Sequence, residues 1–203
     1  MATTSLVLVR HGETSSNKDA RLQGQLDVPL SDIGRAQARA LGKALSGIPF
    51  DSAYTSDLVR SSETAALCLA GRDIAIVTDA RLRERHYGIW QGELWQAIRQ
   101  PSSSGPLPPT PTAAHAAPPG GESWAQLRSR VARSLSDIVT RHSGRTLLVV
   151  AHGGTLRAAF CHLLKLPGRV RLSLRTDNAC ICRFDVGEKG TDLVRWNDTN
   201  HLA

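Results

Sequence analysis

A chain of 203 residues, 41% of them apolar, is long enough to bury a sizeable core and fits one domain, or one domain with an embellishment. Its formal charge of +7 comes from 25 Lys and Arg against 18 Asp and Glu, and nearly all of the positive charge is arginine, the side chain suited to bidentate recognition of phosphate. No apolar run approaches the roughly 20 residues of a membrane span, no basic-then-apolar leader opens the chain, and Cys68, Cys161, Cys180 and Cys182 show neither zinc-site spacing nor the pattern of a small secreted domain.

The expected protein is cytoplasmic, with free thiols, no membrane partner, no metal and no cofactor, and is a monomer or homodimer. Nucleic acid is not the expected partner either. The arginines are scattered, aromatics make up 4% of the chain, and no recognised binding motif appears. A basic field that draws in small anions is the better reading of the charge.

Taken in order, Leu6-Val7-Leu8-Val9 reads as a short buried strand that runs straight into Arg10-His11-Gly12. Open α/β sheets place their ligands at the carboxyl ends of strands. Gly12 permits a sharp turn and a close backbone approach to a ligand. Residues 12–30 look irregular. Ser31 then caps a predicted helix with Ile33, Ala36, Ala40, Leu41 and Ala44 as its apolar stripe, stopping near Gly47 and Pro49. Residues 50–55 form the second predicted strand. Ser56-Asp57 caps a helix carrying Arg60, Thr64, Leu67 and Cys68, and residues 74–78 make a third strand.

Residues 81–92 have no clear period, and a short helix is predicted over 93–99. Residues 101–121, rich in Pro, Ser, Ala and Gly, read as a flexible loop. An amphipathic helix over 122–142 carries Trp124, Leu127, Val131, Leu135 and Ile138. The next strand, Thr146-Leu147-Leu148-Val149-Val150-Ala151, is the clearest in the chain, and it ends in His152-Gly153, echoing the first. A helix through Leu156, Ala159, Phe160 and Leu163, ending near Pro167, and an antiparallel hairpin over 179–186 and 191–196 complete the pattern. Alternating strands and helices predict a three-layer α/β/α sandwich, with a mostly parallel central sheet and an antiparallel edge, in a single domain over 1–203.

These elements carry a resemblance. Leu-Val-Arg-His-Gly-Glu-Thr at 8–14, Ser56-Asp57-Leu58-Val59-Arg60, Leu82-Arg83-Glu84-Arg85 and Ala151-His152-Gly153 occur in the order found in the histidine phosphatase superfamily, and the chain resembles its phosphoglycerate-mutase-like branch from about residue 6 to 202. The resemblance implies a nucleophile at His11, a phosphate clamp of Arg10, Arg60 and His152, and a proton donor at Glu84. It also implies substrate contacts at Thr14, Asn17, Gln23, Gly24, Tyr87 and Gly153.

The chemistry fits those residue types. A neutral imidazole can attack phosphorus and form a phosphohistidine, cations neutralise the equatorial oxygens, and a carboxylic acid protonates the leaving alkoxide before activating water. His152 acts as a full cation only when protonated, and a bound phosphate dianion raises its pKa. His86, His115, His142 and His162 read as structural or surface residues, and His201 as a packing residue, with a place near the pocket as the alternative.

Mutases of the family carry a longer, basic insertion and tend to have Asn after the His-Gly pair. Here 101–121 holds no Lys or Arg, and the residue is Gly154. The implied activity is therefore hydrolysis of small phosphomonoesters such as phosphorylated sugars or glycerates. A mutase is the alternative, and a non-catalytic phospho-ligand module a second one.

Overall fold

Strand β1, Thr4–Arg10, is buried on both sides, which is why its sequence shows an unbroken apolar run instead of alternation. The computed structural model describes residues 2–99, 117–167 and 173–203. Beyond β1 come α1 (Ser15–Lys18), α2 (Asp32–Ala44), β2 (Ser52–Thr55), α3 (Val59–Cys68), β3 (Ile76–Thr78), α4 (Trp95–Arg99), α5 (Trp124–Arg141), β4 (Thr146–Ala151), α6 (Gly153–Leu163), β5 (Ile181–Gly187) and β6 (Gly190–Asp198). The six strands form one sheet in the order β3-β2-β4-β1-β5-β6. The first four run parallel, while β5 pairs antiparallel with β1 and β6 with β5. The expected sandwich is thus present, and its antiparallel edge is a two-stranded hairpin.

The sheet separates two cores. Leu6 and Leu8 of β1, with Leu147 and Val149 of β4, face Leu127, Val131, Leu135 and Ile138 of α5 and Leu156 of α6. Val7 and Val9, with Leu148 and Val150, face Leu41 of α2 and Ala65 and Cys68 of α3. Each Leu, Ile or Val side chain among them contributes about 1.5–3 kcal/mol by leaving water. Consecutive residues of β1 and β4 are therefore bound to opposite layers, and a one-residue slip would exchange every contact. The register that results sets Arg10 beside Ala151.

Two sequence expectations need correction. In α2 the buried residues are Gly34, Ala38 and Leu41, while Ile33 is 56% exposed. The stripe was phased on bulk, but this helix makes its contact through glycine. A Cβ on Gly34 would stand 2.0 Å from the Glu13 carbonyl oxygen, and one on Gly12 would stand 2.4 Å from that of Gly34. Secondly, Ser56-Asp57 does not cap α3. The N-cap is Leu58, without a side-chain bond of its own, and Asp27 reaches across to accept from the Val59 N–H at 2.7 Å. The Ser31 cap, by contrast, forms as expected, accepting from the Gly34 N–H at 3.0 Å. Of the loop expected over 101–121, residues 101–116 lie outside the described residues, as do His115 and the Gly168 end of the region after α6.

Candidate active site

β1 and β4 are neighbours, yet β1 leads to α2 on one face of the sheet and β4 to α6 on the other. Their carboxyl ends therefore bound the crevice where α/β sheets hold ligands. His11 follows β1 and His152 follows β4. The His11 N–H donates to the Ala151 carbonyl at 2.9 Å, and the two imidazoles meet with centroids 5.1 Å apart. Residues 141 positions apart in sequence are side by side through one pair of strands.

The His11 ring is oriented by its own turn. Nδ1 lies 2.7 Å from the Gly12 carbonyl oxygen. That oxygen only accepts, so Nδ1 carries the proton and Nε2 keeps its lone pair. Burial, then the Arg60 and Arg10 guanidiniums, hold the His11 pKa well below the ordinary imidazole value, with the Gly12 bond opposing them. Asn178 donates from Nδ2 to the carbonyls of both His11 and Gly12, at 3.1 and 3.2 Å, and so fixes the turn.

His152 is completely buried, and its pKa is likewise lowered, first by burial and then by Arg60, His11, Arg10 and Arg130. Its Nε2 is 2.9 Å from the Ser56 hydroxyl. The same hydroxyl accepts from the Leu58 N–H at 3.2 Å, which holds it against the ring. Ser56, read from sequence as a helix cap, instead orients the second histidine.

Arg10 and Arg60 are tethered by carbonyls. Arg60, 1% exposed, donates to Leu26 O and Gly24 O, both at 2.7 Å, and Arg10 donates to Thr176 O at 2.5 Å. Burial lowers the pKa of both, that of Arg60 to about 10 despite support from Glu84 and Asp27. Each remains a cation at neutral pH. The Nε atoms of Arg10 and Arg60 and the Nδ1 of His152 are buried without a hydrogen-bond partner among the described residues. Such groups are costly in a protein interior. Two of them, the guanidinium Nε–H donors of Arg10 and Arg60, belong to residues that line the crevice, as does Gln23, whose Oε1 is likewise without a partner.

The crevice is a cavity of about 160 Å³ lined by Arg10, His11, Asn17, Arg21, Leu22, Gln23, Gly24, Arg60, Glu84, Tyr87, Trp95, Gly153, Gly154 and Arg157. Most of the residues singled out from sequence therefore meet there. Asn17 spends Oδ1 on Thr14 and Asn178, which leaves its amide donors for the pocket. Two residues stand apart. His152 lies behind His11 in the wall, and Thr14, fully buried, serves as N-cap of α1 and is absent from the lining.

Among the other histidines, His142 bonds the Tyr54 hydroxyl, His86 accepts from the Gly88 N–H and His162 meets Ser136, all outside the pocket. His201 lines a separate cleft.

Glu84 projects its carboxylate onto the first turn of α6. Oε2 accepts from the Gly154 N–H at 2.9 Å and Oε1 from the Arg85 N–H at 2.8 Å. A Cβ on Gly154 would stand 2.2 Å from Oε1, so any larger residue there displaces the carboxylate.

The loop that carries Glu84 is fastened by a residue sequence reasoning missed. Arg130 of α5 donates to the carbonyls of Arg81, Arg83 and Glu84 at 2.7–2.8 Å, and its other edge pairs with Glu122 at 2.6 Å. A mid-helix arginine six residues after the start of α5 gives no motif to find. Only its spacing from Glu122, on the same end of the helix, hints at a pair. Arg130→Lys keeps the charge but has no fork to span three carbonyls. It should lower kcat/KM for alkyl phosphates about a hundredfold, the scale of an ångström's misplacement. Nitrophenyl phosphate, which needs no protonated leaving group, should lose much less. Equal losses for both esters would reduce Arg130 to a structural role.

The fold and crevice define an α/β protein with an arginine-lined pocket at the switch point of its sheet, where an imidazole with a free lone pair stands among fixed cations. The family profile of the histidine phosphatase superfamily (branch 1) matches residues 6–199, and the chain belongs to that family. It is 37% identical to phosphoglycerate mutase-like protein 4 of Arabidopsis thaliana, covering 97% of this chain and 86% of that one. It is 32% identical to phosphoserine phosphatase 1 of Hydrogenobacter thermophilus, over 98% and 94% of the two chains. Among solved structures, mycobacterial glucosyl-3-phosphoglycerate phosphatase superposes with a TM-score of 0.84 at 32% identity, over 96% and 99% of the two chains.

Proposed function

We propose that this chain hydrolyses small phosphomonoesters through a phosphohistidine on His11. The observation that carries the reading is the His11 ring, with Nδ1 bonded to Gly12 O, its pKa held low, and Nε2 left to the pocket. Arg10, Arg60 and His152 take the phosphate oxygens, most strongly as charge builds in the transition state. The dianion favours a proton on His152, reversing its depressed pKa when substrate binds. Glu84 protonates the departing alkoxide and, as carboxylate, removes a proton from the water that attacks phosphohistidine. Asn17, Gln23, Gly24, Tyr87 and Gly153 complete the substrate contacts. A cavity of 160 Å³ is below the usual range for a drug-sized ligand, roughly 300–1,000 Å³, and favours a small ester.

Several relatives are named phosphatases and others mutases. Hydrolysis is the better reading for this chain because a mutase must hold a doubly phosphorylated molecule while it turns over. Location in the cytoplasm and a monomer or homodimer accompany the proposal. The test supplies purified protein with a panel of phosphomonoesters, and separately with 3-phosphoglycerate plus bisphosphoglycerate. Phosphate release should outrun isomerisation; faster isomerisation would make the protein a mutase.

A further inference from the structure

The cavity contains more positive charge than phosphate needs. Among the described residues its lining has four arginines, at 10, 21, 60 and 157, and one carboxylate, Glu84. A phosphate dianion balances two of these cations and an ionised Glu84 a third. One positive charge remains, and a protonated Glu84 would leave two.

Arg157 is the better-held of the two extra arginines. It lies one turn into α6 from Gly153, and helical side chains lean toward the N-terminus of their helix, here toward the pocket. Its Nε donates to Leu174 O and its Nη2 to Thr176 Oγ1, both at 3.1 Å, so the guanidinium plane is fixed. Nη1 makes no hydrogen bond among the described residues, and Arg157 forms no ion pair there. Residues 100–116 and 168–172 contain no Asp or Glu to supply one.

Thr176, 4% exposed, is the link to the clamp, since its carbonyl holds Arg10 while its hydroxyl holds Arg157. One residue thus sets the spacing between a phosphate cation and an outer one. Arg21 is exposed and donates to Gly92 O at 2.9 Å, so solvent screens it more.

Resting on the phosphatase reading of this pocket, we propose that Arg157, supported by Arg21, forms a carboxylate subsite, and that the preferred substrates are small phosphomonoesters with a carboxylate within a few bonds of the ester. A planar fork fixed on one edge presents its remaining donors to a planar anion. A surplus of one to two positive charges, set by the protonation of Glu84, suits a carboxylate.

The test compares 3-phosphoglycerate with glycerol 3-phosphate, which differ only by a carboxylate in place of a hydroxymethyl group. In the native chain, kcat/KM should favour the acid by about tenfold or more, the scale of a charge-assisted contact. Arg157→Met should bring that ratio close to one, and Arg157→Lys should restore part of it. Because the ratio is read within each protein, any general loss from disturbing Thr176 cancels. A native ratio near one, or a ratio that Arg157→Met leaves unchanged, overturns the subsite and leaves the phosphatase reading intact. Release of phosphate from neither of these esters nor from any other in the phosphomonoester panel overturns both.

Discussion

His11→Ala should lower phosphate release by about four orders of magnitude or more, the loss typical of removing a covalent nucleophile, and should abolish any phosphorylated form of the protein. The expectation follows from a bond count at one ring. Gly12 O holds the Nδ1 proton, so the nucleophile is always Nε2 and always the same tautomer. Burial and the flanking arginines depress the pKa, so the ring stays neutral at pH values where a free imidazole would be protonated. Phosphorylation in a single turnover should therefore persist below the ordinary imidazole pKa of about 6.5 and be lost only in more acidic solution. A fall in that step centred at the free-imidazole value would show that the arginines and burial do not act as described. The pocket should still bind phosphate in His11→Ala, because Arg10, Arg60 and His152 remain.

Glu84→Gln should separate two leaving groups. General acid catalysis contributes roughly 10²–10⁴-fold, so alkyl phosphates should lose activity on that scale. Nitrophenyl phosphate should still phosphorylate His11 readily, since nitrophenolate leaves without a proton. The second half-reaction then stalls because Gln cannot take a proton from water. Stopped-flow mixing should show one equivalent of nitrophenol released in a burst, followed by slow turnover. Glu84 is held by two backbone N–H groups, from Arg85 and Gly154, and an amide placed there can accept from only one of them. Some disorder of the side chain is therefore expected in the variant, though it alone would slow both esters alike and give no burst. Equal slowing without a burst would remove Glu84 from the acid–base role.

What could be read from sequence and what could not divides along physical lines. The strands β1 and β4 were legible because each is buried on both faces and reads as one apolar run. The polar residues that end them were legible because Arg10-His11-Gly12 and His152-Gly153 break those runs abruptly. α2 was misphased because its contact with the Arg10–Gly12 turn is made by Gly34, and glycine carries no hydrophobic signal.

Ser56 was misassigned because Ser before a helix has two uses, capping and side-chain bonding, and sequence does not distinguish them. Asn178 and Arg130 donate to backbone carbonyls of distant segments, and Thr176 accepts from the side chains of Arg10 and Arg157. No periodicity marks such residues, since their partners are set only once the sheet is assembled. The lack of Lys and Arg in 101–121 left Arg21 and Arg157 unmarked, yet they reach the pocket from the segment after α1 and from α6.

The most direct measurement is the position of the phosphoryl group after brief reaction with nitrophenyl phosphate and quenching in alkali, read by peptide mapping and by phosphorus NMR of the adduct. An acid-labile phosphoryl group on Nε2 of His11, absent from His11→Ala, is the result that two imidazoles joined by adjacent strands require. A group on His152, on Nδ1 of His11, or on no histidine while phosphate is still released would contradict it.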